Sequence, residues 1–132
     1  MEEEASKRGY VAQVVSATQY ATPEETISSL MENVSNQLAL CMGGETKLIV
    51  PKGVTGRGGR NTHLGLSMLE ALTDKQVFVS FASDGKDNCP AAGAIVDLST
   101  LTKASLKSLD YRAYRDNFDS FTFLEQTNDL LL

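Results

Sequence analysis

The sequence predicts an α/β fold: a single domain with a mixed sheet and helices packed on it. Three observations predict it. Short apolar runs of strand length recur along the chain, a segment with a complete helix-start signal stands between the first two, and the remaining strand-like and helix-like segments go on alternating. With 132 residues, 42% hydrophobic and 22% charged, the chain can close one core without disulfide or metal staples.

Residues 1–9 are polar and charged and are expected to be partly disordered, which leaves 10–132 as the domain. Tyr10 to Ser16, carrying Val11, Val14 and Val15, reads as a strand. At Thr22-Pro23-Glu24-Glu25 a threonine can cap free amides, a proline suits the first helical turn, and Glu25 completes a capping box. Ile27, Leu30, Met31, Val34 and Leu38 follow at three- and four-residue steps, one buried stripe of a helix. Leu38 to Met42 and Glu45 to Val50 read as strands on either side of Gly43-Gly44, the second closed by Pro51. Pro51 to Arg60 is a basic, glycine-rich loop, after which Asn61 or Thr62 can cap a helix with Leu64, Met68, Ala71 and Leu72 on its inner face. Gln76 to Ala82 is a near-continuous apolar run, as expected of a strand covered on both faces. These last three strands are expected to share one sheet. A polar turn (Ser83 to Asn88) leads to the small apolar segment Ala91 to Val96. Short helices are expected from Ser99 to Leu106, from near Asp110, and behind Asp119-Ser120, where Phe121, Phe123 and Leu124 follow. Asp129 to Leu132 has the look of a strand.

Composition also excludes. A formal net charge of -5 opposes broad nucleic-acid binding, which needs a basic surface. No apolar run approaches the ~20 residues that span a bilayer. The acidic start Met1-Glu2-Glu3-Glu4 is neither a secretory signal nor a basic transit peptide. Cys41 and Cys89 are far apart, in no metal-ligand spacing, and are expected to be reduced thiols of a cytoplasmic protein. His63, the single histidine, would have to carry any His-based zinc site or Ser-His-Asp triad by itself. It is expected to be a surface or helix-start histidine rather than a general base.

Chemistry can sit in four places. Gly56-Arg57-Gly58-Gly59-Arg60-Asn61 lies at the mouth of a helix, where outward amides and glycines favour an approaching anion and Arg60 offers a forked contact. Lys52 adds charge just upstream. The spacing is neither Walker A nor a dinucleotide fingerprint, and a solvated surface hairpin is an equal reading. Asp84-Gly85-Lys86-Asp87 follows a strand end, where α/β ligands gather. Its two carboxylates could hold magnesium, although on residue chemistry alone a plain turn is the stronger reading. Gly43-Gly44-Glu45-Thr46 reads mainly as a bend or bulge with Glu45 partly buried and in supporting contact with the loop. In Asn117-Phe118-Asp119-Ser120-Phe121 the aspartate and serine are good helix caps.

Taken in order, Gly43 to Thr46, Gly56 to Asn61, Asp84 to Asp87, Ala91 to Asp97 and Asp119 to Phe121 resemble the motifs of the MOFRL domain. The resemblance is specific over residues 41–132 and less distinctive over 9–40. It implies the C-terminal domain of a two-domain class II glycerate kinase, relatives of which also carry the name hydroxypyruvate reductase. It further implies a larger N-terminal α/β domain that completes an active-site cleft and supplies a catalytic lysine, with ATP-dependent, magnesium-dependent phosphorylation of D-glycerate to 2-phosphoglycerate. On this resemblance Arg60 is the catalytic residue, and with the residue chemistry above Gly56, Gly58, Gly59, Asn61, Lys52, Asp84 and Asp87 are expected to bind substrate or phosphate. No metal ligand is assigned, and no cofactor is required for folding. The expected partners are a small anionic substrate such as glycerate, together with the N-terminal domain or a second copy. The isolated chain is expected to be inactive. The alternative is a free-standing, non-catalytic module that binds a small ligand or self-associates. Four departures from the family pattern stand out. Thr62-His63 replaces Gln-Glu, Lys86 replaces an apolar residue, the loop around Cys89-Pro90 is shorter, and Leu132 precedes the family's Thr-Gly-Pro-Thr-Gly-Thr-Asn segment.

Overall fold

The chain opens with a short helix and a parallel β-α-β unit. In the computed structural model, which describes residues 2–132, these elements are α1 (Glu2–Lys7), β1 (Val11–Ala21), α2 (Pro23–Met31) and β2 (Leu38–Thr46). They form one compact unit that ends at Lys47, and Leu48–Leu132 form a second.

The first residues differ from the expectation of disorder. Glu3 pairs with Lys7 at 2.8 Å and Glu4 with Arg8 at 2.9 Å, both at helical i,i+4 spacing. Glutamates in the first turn and Lys7 in the last complement the helix dipole. The capping box of α2 forms as its residues predict: Thr22 Oγ1 accepts from the Glu25 amide at 3.3 Å, and Glu25 Oε2 accepts from the Thr22 amide at 2.9 Å. The helix stops at Met31, with Leu30 buried and Val34 exposed, so its stripe is shorter than the apolar spacing suggested.

β1 and β2 pair in parallel from Val11↔Leu38 to Ala21↔Thr46, with register irregularities after Val14 and Ser16. One strand runs straight through the diglycine, where two had been expected. Gly44, at φ +145°, lies so close to β1 that a Cβ there would sit 2.0 Å from the Gln19 carbonyl oxygen. Only glycine lets the strands approach this way. Glu45 is exposed rather than partly buried, and 47–50 lie outside the strand.

The second unit carries α3 (Arg60–Met68), β3 (Phe78–Phe81), β4 (Gly93–Val96), α4 (Leu98–Leu106), α5 (Tyr111–Asp116), α6 (Ser120–Thr127) and β5 (Leu130–Leu131). Its sheet has the order β3-β4-β5, antiparallel throughout. The class is therefore α/β, but the strands divide between two sheets instead of sharing one. β3 finds its partner in the small-residue segment: Gly93 faces Phe81, and a Cβ on Gly93 would lie 1.9 Å from the Ser80 carbonyl oxygen. Gly65 likewise lets α3 press on Ala94. Leu66, Leu69, Ala94, Val96, Ala104, Phe123 and Leu124 make the core.

Burial of β3 on both faces is not observed. Ser80 points inward, whereas Val79 is 45% and Phe81 49% exposed, beside Ile95 at 41%. An antiparallel sheet need cover only one face, and a continuous apolar run does not reveal whether the other is covered. Two helices of this unit, α4 and α5, start on the side chains of their own N-cap aspartates. Asp97 accepts from the Ser99 amide at 2.7 Å and Asp110 from the Arg112 amide at 3.0 Å. After α6 the chain turns through Asn128 in the left-handed region, and Lys103 pairs with the buried Asp129 as β5 begins.

Candidate functional site

The arginine loop is clasped from two directions within the second unit. On one side, Asp119 Oδ1 accepts from the Arg57 amide at 2.9 Å, and the Phe121 amide donates to the Arg57 carbonyl at 2.9 Å. Asp119 thus stands at the start of α6 without capping it through a backbone amide of that helix. The Arg57 guanidinium lies 4.5 Å from the Phe121 ring centre, a cation–π placement that holds the side chain over a buried aromatic. Gly56 sits where a Cβ would be 2.1 Å from the Asn117 carbonyl oxygen.

On the other side is Asp87, only 3% exposed. Its Oδ1 accepts from the Asn61 amide at 2.9 Å and from Asn61 Nδ2 at 3.0 Å, and its Oδ2 accepts from the Thr62 amide at 2.7 Å. A Cβ on Gly59 would fall 1.6 Å from the Asp87 carbonyl oxygen. The helix start is therefore capped by a carboxylate that lies 25 and 26 positions away. Such charge-assisted bonds at the positive end of a helix are among the stronger ones a protein makes.

Three hydroxyl and amide contacts complete the clasp. The Gly59 amide donates to Thr62 Oγ1 at 2.8 Å, Ser120 Oγ donates to the same oxygen at 3.0 Å, and Ser80 Oγ donates to Asn61 Oδ1 at 2.7 Å. Every residue here but Ser80 lies in or beside a segment that the sequence marks out. Ser80 and the Thr62 hydroxyl are additions that structure alone supplies. The available signal for Ser80 was its place as the polar residue within the apolar run Val77 to Phe81.

This geometry revises several expectations. The Asn61 and Thr62 amides are committed to Asp87 instead of standing open to an anion, and Asp87 is a cap rather than a surface ligand. Asn61 is held from both ends of its side chain. Asp84 is exposed and accepts from the Lys86 amide at 3.1 Å within its own turn. The two carboxylates of that turn thus accept from different partners, Asp87 from the start of α3 and Asp84 from its own turn. Among the described residues there is no group of three or more His, Cys, Asp or Glu side chains that could hold a metal ion. Lys52 and Arg57 are exposed, and Arg60, the first residue of α3, is half-buried. Of the two places expected for His63, it takes the helix start, in the first turn of α3, and not the surface: it is 7% exposed and stacks on Phe118 at 4.8 Å. Both cysteines are free thiols. Burial, reinforced by the neighbouring Asp87 charge, pushes the Cys89 thiol above its ordinary pKa.

Fold and site together define an α/β domain that presents basic side chains from a loop stapled to the start of a helix. The chain belongs to the MOFRL family, whose description matches residues 38–132. It is similar to the glycerate 2-kinase of Pyrococcus horikoshii, at 28% identity over 97% of this chain and 32% of that protein. It is 33% identical to the D-glycerate 2-kinase of Thermotoga maritima over 97% of this chain and 33% of that protein. A crystal structure of the glycerate kinase from Thermotoga maritima superposes with a TM-score of 0.87 at 30% identity, covering 99% of this chain and 34% of that one. The chain thus spans about a third of the length of the relatives it matches. Among the described residues no helix is long and apolar enough to cross a membrane.

Proposed function

We propose that this chain is the domain of a glycerate 2-kinase-type protein that contributes the Arg60 loop to ATP-dependent phosphorylation of glycerate, working beside a separate, larger N-terminal domain. The observation that carries this reading is the double clasp on Gly56 to Asn61, which fixes the backbone on which Arg60 stands. Phosphoryl transfer relies mainly on positioning and electrostatic stabilisation, and a guanidinium on an immobile backbone supplies both to a carboxylate or phosphate. Arg60 takes the substrate's charge, with Lys52 and Asp84 as exposed polar groups nearby in sequence to the loop and to Asp87. The glycines serve the loop by letting it press against Asp87 and against 117–119. ATP and magnesium belong to the same reading, and a larger complementary domain is in keeping with the fraction of the relatives that this chain spans.

Calorimetric titration with 2-phosphoglycerate tests the reading. Arg60→Ala is expected to weaken binding by about one to two decades, the worth of a charge-assisted contact of roughly 1.5–3 kcal/mol. Equal binding by wild type and Arg60→Ala would place the anion elsewhere.

A further inference from the structure

We propose that Asp87 is a positioning residue for the arginine loop: it fills the anion seat at the start of α3 and thereby leaves the Arg60 side chain, not the helix amides, to receive the ligand. The inference rests on the reading of the loop as an anion site.

A helix start with glycines before it is an ordinary place for a phosphate. In α3 that place is taken. Three donors, the Asn61 amide, Asn61 Nδ2 and the Thr62 amide, converge on one buried carboxylate within 3.0 Å. The Asp87 backbone is pressed against Gly59 as well, so the carboxylate cannot swing aside without moving the loop. Ser80 donates to Asn61 Oδ1, which turns the amide nitrogen of that side chain toward Asp87. A second anion brought to the same amides would meet a negative charge at contact distance. Arg60 is one residue before the capped amides, so its backbone is set by the bonds that Asp87 accepts.

Replacing Asp87 by asparagine separates two effects of opposite sign. Removing a negative charge beside the site favours anion binding by simple Coulomb attraction. The amide group, however, accepts through one oxygen only and points donors at a backbone donor, so the helix start loosens and Arg60 loses its fixed origin. A positioning role requires the second effect to win, and only while Arg60 is present.

The test is a double-mutant cycle on 2-phosphoglycerate affinity in the 132-residue chain, with wild type, Asp87→Asn, Arg60→Ala and the double variant. Amide chemical shifts of Asn61 and Thr62 report the cap directly. Asp87→Asn is expected to move both shifts and to lower affinity about tenfold in the wild-type background, with less than about a twofold change beside Arg60→Ala. Tighter binding by Asp87→Asn, or the same loss in both backgrounds, overturns the proposal. Ser80→Ala serves if Asp87→Asn fails to fold: it frees only the Asn61 side chain and is expected to lower affinity about threefold through Arg60. No change on Ser80→Ala overturns the proposal too. Should Arg60→Ala itself have no effect, the anion-site reading falls and takes this inference with it, a result distinct from all of the others.

Discussion

Gly59 and Gly85 belong to neighbouring motifs, and they resist substitution for different reasons. A Cβ on Gly59 would meet the Asp87 backbone carbonyl oxygen at 1.6 Å, and the Asp87 side chain beside it is itself held by the helix-start amides. Gly85 has open space around it but sits at φ +80°, a conformation costing an L-residue roughly 1–2 kcal/mol. Gly59→Ala is therefore expected to destabilise the chain by more than about 3 kcal/mol, and Gly85→Ala by about 1–2 kcal/mol. Urea unfolding of both variants decides it, and equal losses would mean that the loop is not clasped by Asp87. At this scale the sequence marks which residues matter better than it shows what they do. Asp87 reads first as a turn former and second as a ligand, and nothing marks it as a cap, because the amides it caps lie so far back along the chain. The departures Thr62 and His63 turn out to have structural partners, Gly59 and Ser120 for the hydroxyl and Phe118 for the ring.

Elements whose determinants are local were legible. The capping box of α2 and the aspartates that start α4 and α5 stand within three residues of the amides they serve. The Asp97 carboxyl is held below its usual range chiefly by its hydrogen bond to Ser99. Asp97→Ala is expected to cost about 1 kcal/mol near neutral pH, the usual worth of such a cap. A folded-state pKa that is depressed contributes stability above the unfolded value and loses it as pH falls through the folded one. The gap between wild type and Asp97→Ala should therefore close in acid, on urea curves taken near neutral pH and at about pH 3. A gap that persists unchanged would remove Asp97 as the charged cap. Strand partners were not legible, because pairing depends on segments far apart in sequence. Nothing in the apolar run of β3 announces that it pairs with Gly93–Val96 rather than with the first two strands, or that Val79 and Phe81 would face outward.

For the whole molecule, the α/β class and the MOFRL motifs were readable because composition and ordered short motifs survive without knowledge of contacts. The division into two units was not, since it follows from which distant segments touch, and the glycine-rich stretch after Pro51 reads as a loop within one domain. In the second unit, Val79, Phe81 and Ile95 leave an apolar strip on the β3–β4 face, the sort of surface that interfaces cover. The proposed role of this chain is to supply the arginine loop of a glycerate kinase-type protein, about a third of whose length it spans. The most direct measurement is phosphorylation of glycerate by a chimera in which this chain replaces the matching third of the Thermotoga maritima D-glycerate 2-kinase, with this chain alone as the control. ATP- and magnesium-dependent turnover is expected of the chimera, with a loss of about a hundredfold on Arg60→Ala, and none of the chain alone. A folded chimera without activity, or one indifferent to Arg60→Ala, would contradict it.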